Sequence, residues 1–266
     1  MNFDYYQKTI TEKKPFSIAS DWGQGRGAFG GLTAALVLTY IEQNITLDGR
    51  DLRTINIHFC GAVIVEELCE FKHRVLSVGK SMLQVEGQLL QDGEVKTQIV
   101  ACFGARRESS ISVSHPLVSA EKSLSEALQF PSVKGLTPAF VRYFDLRVTR
   151  GSLPGSGTEN TNLSGWMRFS EPQKPLDQAS MLALIDAWPP GVMPMLNKPA
   201  PTSSITWNLE FVQPSPALQT DDYLFYRCDV IQADLGYAHT EAKIFHPDGQ
   251  LIALSRQLVG VYDKRS

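Results

Sequence analysis

The chain has 266 residues, 43% apolar and 20% charged, with a formal net charge of −3. That balance fits a soluble globular protein and leaves no broad basic field for nucleic acid or an anionic membrane. The N-terminus, MNFDYYQKTITEKKPF, has no basic start followed by an apolar run, and no stretch approaches about 18 apolar residues, so neither a secretory signal nor a membrane span is expected. Cys60, Cys69, Cys102 and Cys228 form no C-x-x-C pair and have no His at ligand spacing. They read as reduced thiols in a cytoplasmic protein without a metal site.

The first helix is expected from Gly30-Gly31 through LTAALVLTYIEQN. It has almost no polar face, so it must be covered on most sides. In RTINIHF, Ile55, Ile57 and Phe59 alternate with Thr54, Asn56 and His58, the period of a strand. Further strands are expected around Leu68–Ser77 and Ser81–Leu90, and Gln91-Asp92-Gly93 turns the chain into VKTQIVACFGA. Residues 106–135 are Ser-rich, with Pro116 and Pro131, and read as a linker with a short helix near Ala120–Leu128. Phe140–Thr149 opens the second half as a strand, residues 151–164 read as a mobile loop, and GWMRF (165–169) resumes the sheet.

PLDQASMLALIDAW is helical and must stop before Pro189-Pro190, because a residue preceding proline avoids the helical region. SSITWNLEF places Ile205, Trp207, Leu209 and Phe211 on one face and Ser204, Thr206, Asn208 and Glu210 on the other. YLFYRCDVIQ and AHTEAKIFH are strands, and Asp248-Gly249 turns into LIALSRQLVGVYD. The halves therefore repeat one order of helix and antiparallel strands. Phe59 matches Phe211 at an offset of 152 (211 minus 59), and Asp92 matches Asp248 at 156 (248 minus 92). This pattern implies an α+β fold of two fused copies, residues 1–108 and 136–266, joined by 109–135.

WGQGRGAFGGLTAALVL (22–38), INIHFCGAVIVEE (55–67) and QLLQDGEVKTQIVACFGA (88–105) resemble the N-terminal half of acyl-CoA thioesterase II-like proteins. GWMRF, LALIDAWPPG, SSITWNLEFVQPS and DGQLIALSRQLVGV resemble the C-terminal half. The resemblance implies a double hotdog, each copy with a long central helix wrapped by an antiparallel sheet. It also implies hydrolysis of acyl-CoA without a cofactor, by a water that an Asp, a Ser or Thr and a Gln orient. Carried over, these are Asp186, Ser204 or Thr206, and Gln257. An ungapped reading anchored on Phe211 favours Ser204, and the spacing of two puts both hydroxyls on one strand face.

Asp186 is expected in the last turn of its helix, where the dipole disfavours a carboxylate by about 0.3–1 kcal/mol unless a partner or a function offsets it. Its groove is expected to face the Gly30-Gly31 helix start, whose backbone N–H groups could receive an oxyanion. Arg26, Phe29 and Trp207 complete the substrate-binding candidates, with Arg26 either on the CoA phosphate or pantetheine or simply solvated. Trp188, Met193, Met195 and Trp207 form either an apolar tunnel or core. The Asp, hydroxyl and Gln all fall in the second copy, where the first-copy strand carries Thr54, Asn56 and His58, so one working groove of two is expected. The competing reading is a non-catalytic module that binds acyl-CoA or an acyl-carrier protein. A hydratase is disfavoured because neither helix carries a His, and the absence of G-x-S-x-G disfavours a serine hydrolase. Homo-oligomers are expected among such folds.

Overall fold

The chain opens with helix α1 (Phe3–Thr11), whose Tyr5 N–H donates to Asn2 Oδ1 at its start. This helix was not expected, although Phe3, Tyr6 and Ile10 are buried at helical spacing. Short strands β1 (Phe16–Ser17), β2 (Gly23–Gln24) and β3 (Gly27–Ala28) lead into α2 (Gly30–Asn44). Strands β4 (Arg50–Phe59), β5 (Leu68–Val78), β6 (Met82–Gln91) and β7 (Glu94–Ala105) complete the first half. Asp92 and Gly93, both at positive φ, form the two-residue turn between β6 and β7. The second half comprises β8 (Leu128–Gln129), β9 (Phe144–Arg150), β10 (Asn162–Phe169), α3 (Gln178–Ile185), β11 (Thr202–Phe211), β12 (Leu224–Asp234), β13 (Tyr237–Phe245) and β14 (Leu251–Val261). This computed structural model describes residues 1–11, 15–171, 174 and 176–263.

Twelve strands form one antiparallel sheet in the order β1-β5-β6-β7-β4-β11-β14-β13-β12-β10-β9-β8. The halves join where β4 pairs with β11, and Asn208 Nδ2 donates to Asn56 Oδ1 across that seam at 2.9 Å. Helices and sheet share one core, in which Leu32, Leu36, Leu38, Ile55 and Phe103 have no exposed surface. Residues Gly31–Thr39 of α2 are all buried, as its lack of a polar face requires.

Three expectations need correction. The second helix is not long: α3 spans eight residues, starting where Asp177 Oδ1 accepts from the Ser180 N–H at 2.7 Å. No helix forms near Ala120–Leu128, where Ser123 closes a local turn onto the Glu126 carboxylate. Instead the linker lies along the outer face of the second half. The Val118 N–H donates to Gly249 O, Glu121 pairs with Arg227, and β8 pairs with β9. The loop expected to be mobile is tied down, since the N–H groups of Gly155, Gly157 and Thr158 donate to the carbonyls of Met193, Leu196 and Pro194. That places the 151–161 loop against the segment that follows α3.

Candidate active site

Helices α2 and α3 pack antiparallel, so the end of α3 meets the start of α2. Asp186 caps α3, and its own N–H donates to Leu182 O. Its carboxylate turns toward α2, where the Gly31 N–H donates to it. From β14, Gln257 Nε2 donates to Asp186 Oδ1 at 2.9 Å. The unfavourable dipole of its own helix is thus met by the positive end of another.

Glycine at positions 30 and 31 makes this approach possible. A Cβ on Gly31 would lie 2.7 Å from Asp186 Cβ and 2.6 Å from Phe29 Cζ. On Gly30 it would lie 3.3 Å from Asp186 Oδ2. Some surface of Asp186 remains accessible, yet the carboxylate itself is hemmed in by protein. Burial raises its pKa from 3.8 to about 7, and the Gln257 and Gly31 hydrogen bonds restore only part of the lost hydration.

The two candidate hydroxyls do not share a face. The β11–β14 register shifts at Ile205, so Ser204 stands opposite Val259 while Thr206 stands opposite Leu258. Trp207 pairs with Gln257 on the inner face. Val259, two residues on, is also inner, and Ser204 with it, whereas Thr206 faces outward beside His58. The expectation that both hydroxyls lie together fails because one bulged residue reverses the alternation.

The remaining candidates separate. Trp207 is 1% exposed and donates its indole N–H to Ser255 Oγ, so it backs Gln257 from the neighbouring strand. Phe29 is fully enclosed, stacked on Phe140 at 4.0 Å, and supports the start of α2 from inside. Arg26 is exposed at the turn between β2 and β3. Sequence reasoning missed Tyr226, a buried residue on β12 whose hydroxyl pKa is pushed well above 10 by burial, with the Asp186 charge adding to it. No local pattern marks it, because only the β10–β12 pairing brings it to the end of α3.

The other groove is different. A matching bulge on β4 lies between Leu52 and Thr54, where the Ile55–Ala101 pair corresponds to Trp207–Gln257. Leu52 and Ala101 therefore stand where Ser204 and Gln257 stand in the second half, rather than the Thr54, Asn56 and His58 row that was expected to replace them. Helix α1 lies across that end, with Gln7 Nε2 donating to Thr39 Oγ1 at 3.4 Å and to Asp177 Oδ2 at 3.3 Å. Beside it Glu42 has its pKa raised to about 7 by burial and by Asp177. A cavity of about 210 Å³ lined by Phe3, Trp22, Tyr143, Phe169 and Leu176 also lies at this start of α3, away from Asp186.

An acid held above its unfolded pKa takes up a proton on folding. Its contribution to stability is complete below about pH 4 and is lost as pH rises through about 7. Asp186 and Glu42 both act in that window. Stability, and the unfolding midpoint with it, is expected to fall between about pH 4 and 7, by at most about 4 kcal/mol for Asp186 and about 3 kcal/mol for Glu42 before solvent screening is discounted. Asp186→Asn and Glu42→Gln should each flatten the slope. Thermal melts across that range check this, and slopes parallel to that of the unmodified protein would contradict it.

Residues 121–261 match the acyl-CoA thioesterase C-terminal domain, and residues 18–104 match the N-terminal domain. The chain belongs to the acyl-CoA thioesterase family. No curated protein matches it in sequence. Among solved structures, a hot dog fold protein of unknown function from Alicyclobacillus acidocaldarius is 24% identical, with a TM-score of 0.81 over 94% of this chain and 93% of that one. A putative thioesterase II from Thermobifida fusca YX is 16% identical, with a TM-score of 0.74 over 94% and 92%. Acyl-CoA thioesterase II TesB2 from Mycobacterium marinum is 18% identical, with a TM-score of 0.70 over 97% and 98%. These likenesses establish the hot dog fold of this thioesterase-family chain. Among the described residues no helix is long and apolar enough to cross a membrane, and no group of three His, Cys, Asp or Glu could hold a metal ion.

Proposed function

We propose that this chain is a double-hotdog acyl-CoA thioesterase, with units 1–108 and 136–266, that hydrolyses an acyl thioester at the Asp186 groove. The observation that carries this reading is the Asp186 carboxylate. It is held between the Gln257 amide and the start of α2, with a pKa near 7. A base with that pKa is ionised in part at neutral pH and still takes a proton readily. Asp186 accepts a proton from water as the water oxygen bonds to the carbonyl carbon. The Gln257 amide and the Ser204 hydroxyl orient that water. Other first-turn N–H groups of α2 face the developing oxyanion. Collapse of the tetrahedral intermediate breaks the C–S bond, the carboxylic acid forms, and the leaving CoA thiolate takes the proton from Asp186, which restores the carboxylate.

Release of free CoA thiol from acyl-CoAs of graded chain length tests the reading. Turnover on at least one length is expected. Saturable binding with no release on any length would favour a non-catalytic binding module instead. The two hydroxyls are separable by the same assay. Ser204→Ala should lower kcat/KM by about tenfold or more, as loss of one water-orienting hydrogen bond does. Thr206→Ala should leave it nearly unchanged, and the reverse order would reassign the hydroxyl.

A further inference from the structure

Two hydroxyls are buried in otherwise apolar rows beside the candidate site, and neither takes part in the proposed chemistry. Thr33 stands in the first turn of α2. Thr97 lies on the inner face of β7, in the row that continues as Ile99, Ala101 and Phe103. Each threonine is 1% exposed, so each hydroxyl must find its partners within the protein. Thr33 Oγ1 lies 2.9 Å from Gly30 O and 3.0 Å from Thr97 Oγ1. A hydroxyl has one proton to give and two lone pairs to receive, whereas a carbonyl can only accept. The arrangement that satisfies all three groups is therefore directional: Thr97 donates to Thr33, and Thr33 donates to Gly30 O.

That carbonyl does not end the chain. The Gly30 C=O and the Gly31 N–H are two ends of one peptide group, coupled by its resonance. A proton donated to the oxygen draws electron density from the nitrogen and makes its N–H a stronger donor. The Gly31 N–H is the backbone group that hydrogen-bonds the Asp186 carboxylate. Hydroxyls from a strand and a helix thus lead, bond by bond, to the candidate base. Thr39, further along α2, makes the same kind of bond, from Oγ1 to Ala35 O at 2.9 Å, but that bond serves a peptide in the middle of the helix.

We propose that Thr97 and Thr33 form a hydroxyl relay that polarises the Gly30–Gly31 peptide and so strengthens its hydrogen bond to Asp186. Both are positioning residues, acting through Gly31 rather than on the reacting atoms. The effect on rate rests on Asp186 being the base of the proposed hydrolysis, whereas the effect on its ionisation does not. Burial favours the protonated acid, and the Gln257 amide and the Gly31 N–H favour the carboxylate. Tyr226 on β12 is the titratable neighbour that feels this charge, and burial keeps its hydroxyl protonated. Removing the relay weakens one of the two hydrogen bonds that hold the anion, so the Asp186 pKa rises.

Ionisation of Asp186 is followed in two ways. Carboxyl 13C NMR is recorded on protein labelled at aspartate, with Asp186→Asn identifying the resonance, and thiol release is measured across pH. Thr33→Val keeps the shape of the side chain and removes the hydroxyl. It should move the Asp186 midpoint up from near 7 by roughly 0.2–0.6 in pH, as loss of a cooperative partner implies. Below the midpoint the rate should fall roughly two- to fourfold, while the plateau above it is kept. Thr97→Val should shift the midpoint the same way by less, because Thr33 still donates to Gly30. Thr33→Ser and Thr97→Ser keep the hydroxyls and should keep the wild-type midpoint, and Thr39→Val should not move it. An unmoved midpoint in Thr33→Val would overturn the relay, and Thr97→Val decides in its place if Thr33→Val does not fold. An equal shift in Thr39→Val, or a fall in rate at every pH with the midpoint unchanged, would overturn it too. If no acyl-CoA is turned over, the hydrolase reading fails and the NMR titration still decides the relay.

Discussion

Asp186→Asn is expected to lower thiol release from acyl-CoA by about 10²–10⁴-fold near pH 8, the range typical for loss of a general base. The substitution keeps an oxygen for Gln257 to donate to, so the main change is the loss of a group that takes a proton. Burial sets the wild-type pKa near 7. The rate of the unmodified protein should therefore climb with pH, reach half its plateau near 7, and level off once the carboxylate is ionised. The residual rate of Asp186→Asn should lack that step. A pH–rate profile of kcat/KM for both proteins checks this, and an undiminished variant would remove Asp186 from the chemistry.

Gly31→Ala should damage the same site by a different route. In an unconstrained helix, alanine in place of glycine would stabilise by roughly 0.5–1 kcal/mol. Here the new methyl would sit 2.6 Å from Phe29 Cζ and 2.7 Å from Asp186 Cβ. Phe29 is locked in a stack with Phe140, so the end of α3 has to give way. Overpacking of this kind costs about 1–3 kcal/mol, and displacing a reacting group by about 1 Å costs up to about 100-fold in rate. The variant should melt several degrees lower, with a fall in kcat much larger than that loss of stability explains. Gly30→Ala is the milder comparison, because its nearest neighbour would be the partly exposed Phe59 ring at 3.1 Å. A Gly31→Ala protein with normal kcat would show that the approach of Asp186 to α2 is dispensable.

Much of this arrangement was legible along the chain. The apolar run after Gly30-Gly31 could only be a covered helix. Alternation in residues 54–59 and 206–211 set inner and outer faces on the far side of each bulge, and Asp92-Gly93 marked a tight hairpin. The two offsets, 152 and 156, also carry Ser204 back to Leu52 and Gln257 back to Ala101. The inequality of the grooves was therefore present in the sequence, but the row carrying Thr54, Asn56 and His58 drew the comparison to the wrong face. Phe3, Tyr6 and Ile10 stand at helical spacing along the chain, which is the local signature of α1.

The amino-acid sequence by itself determined the repeat, the antiparallel order, the buried helix and the residue types at the proposed site, because periodicity and turn chemistry are local. Only the tertiary structure decided which groups meet. Ile205 carries no local mark of a bulge, yet that one extra residue sends Thr206 outward and keeps Ser204 with Gln257. Eight residues suffice for α3, since Asp177 and Pro189 bound it and α2 and the sheet, not length, hold it. Asp186 acquires its pKa near 7 from protein brought in by α2 and β14, which are distant along the chain. Burial and hydrogen bonding are properties of the assembled neighbours, so the likeness to known thioesterases could point to Asp186 while the packing alone set its environment.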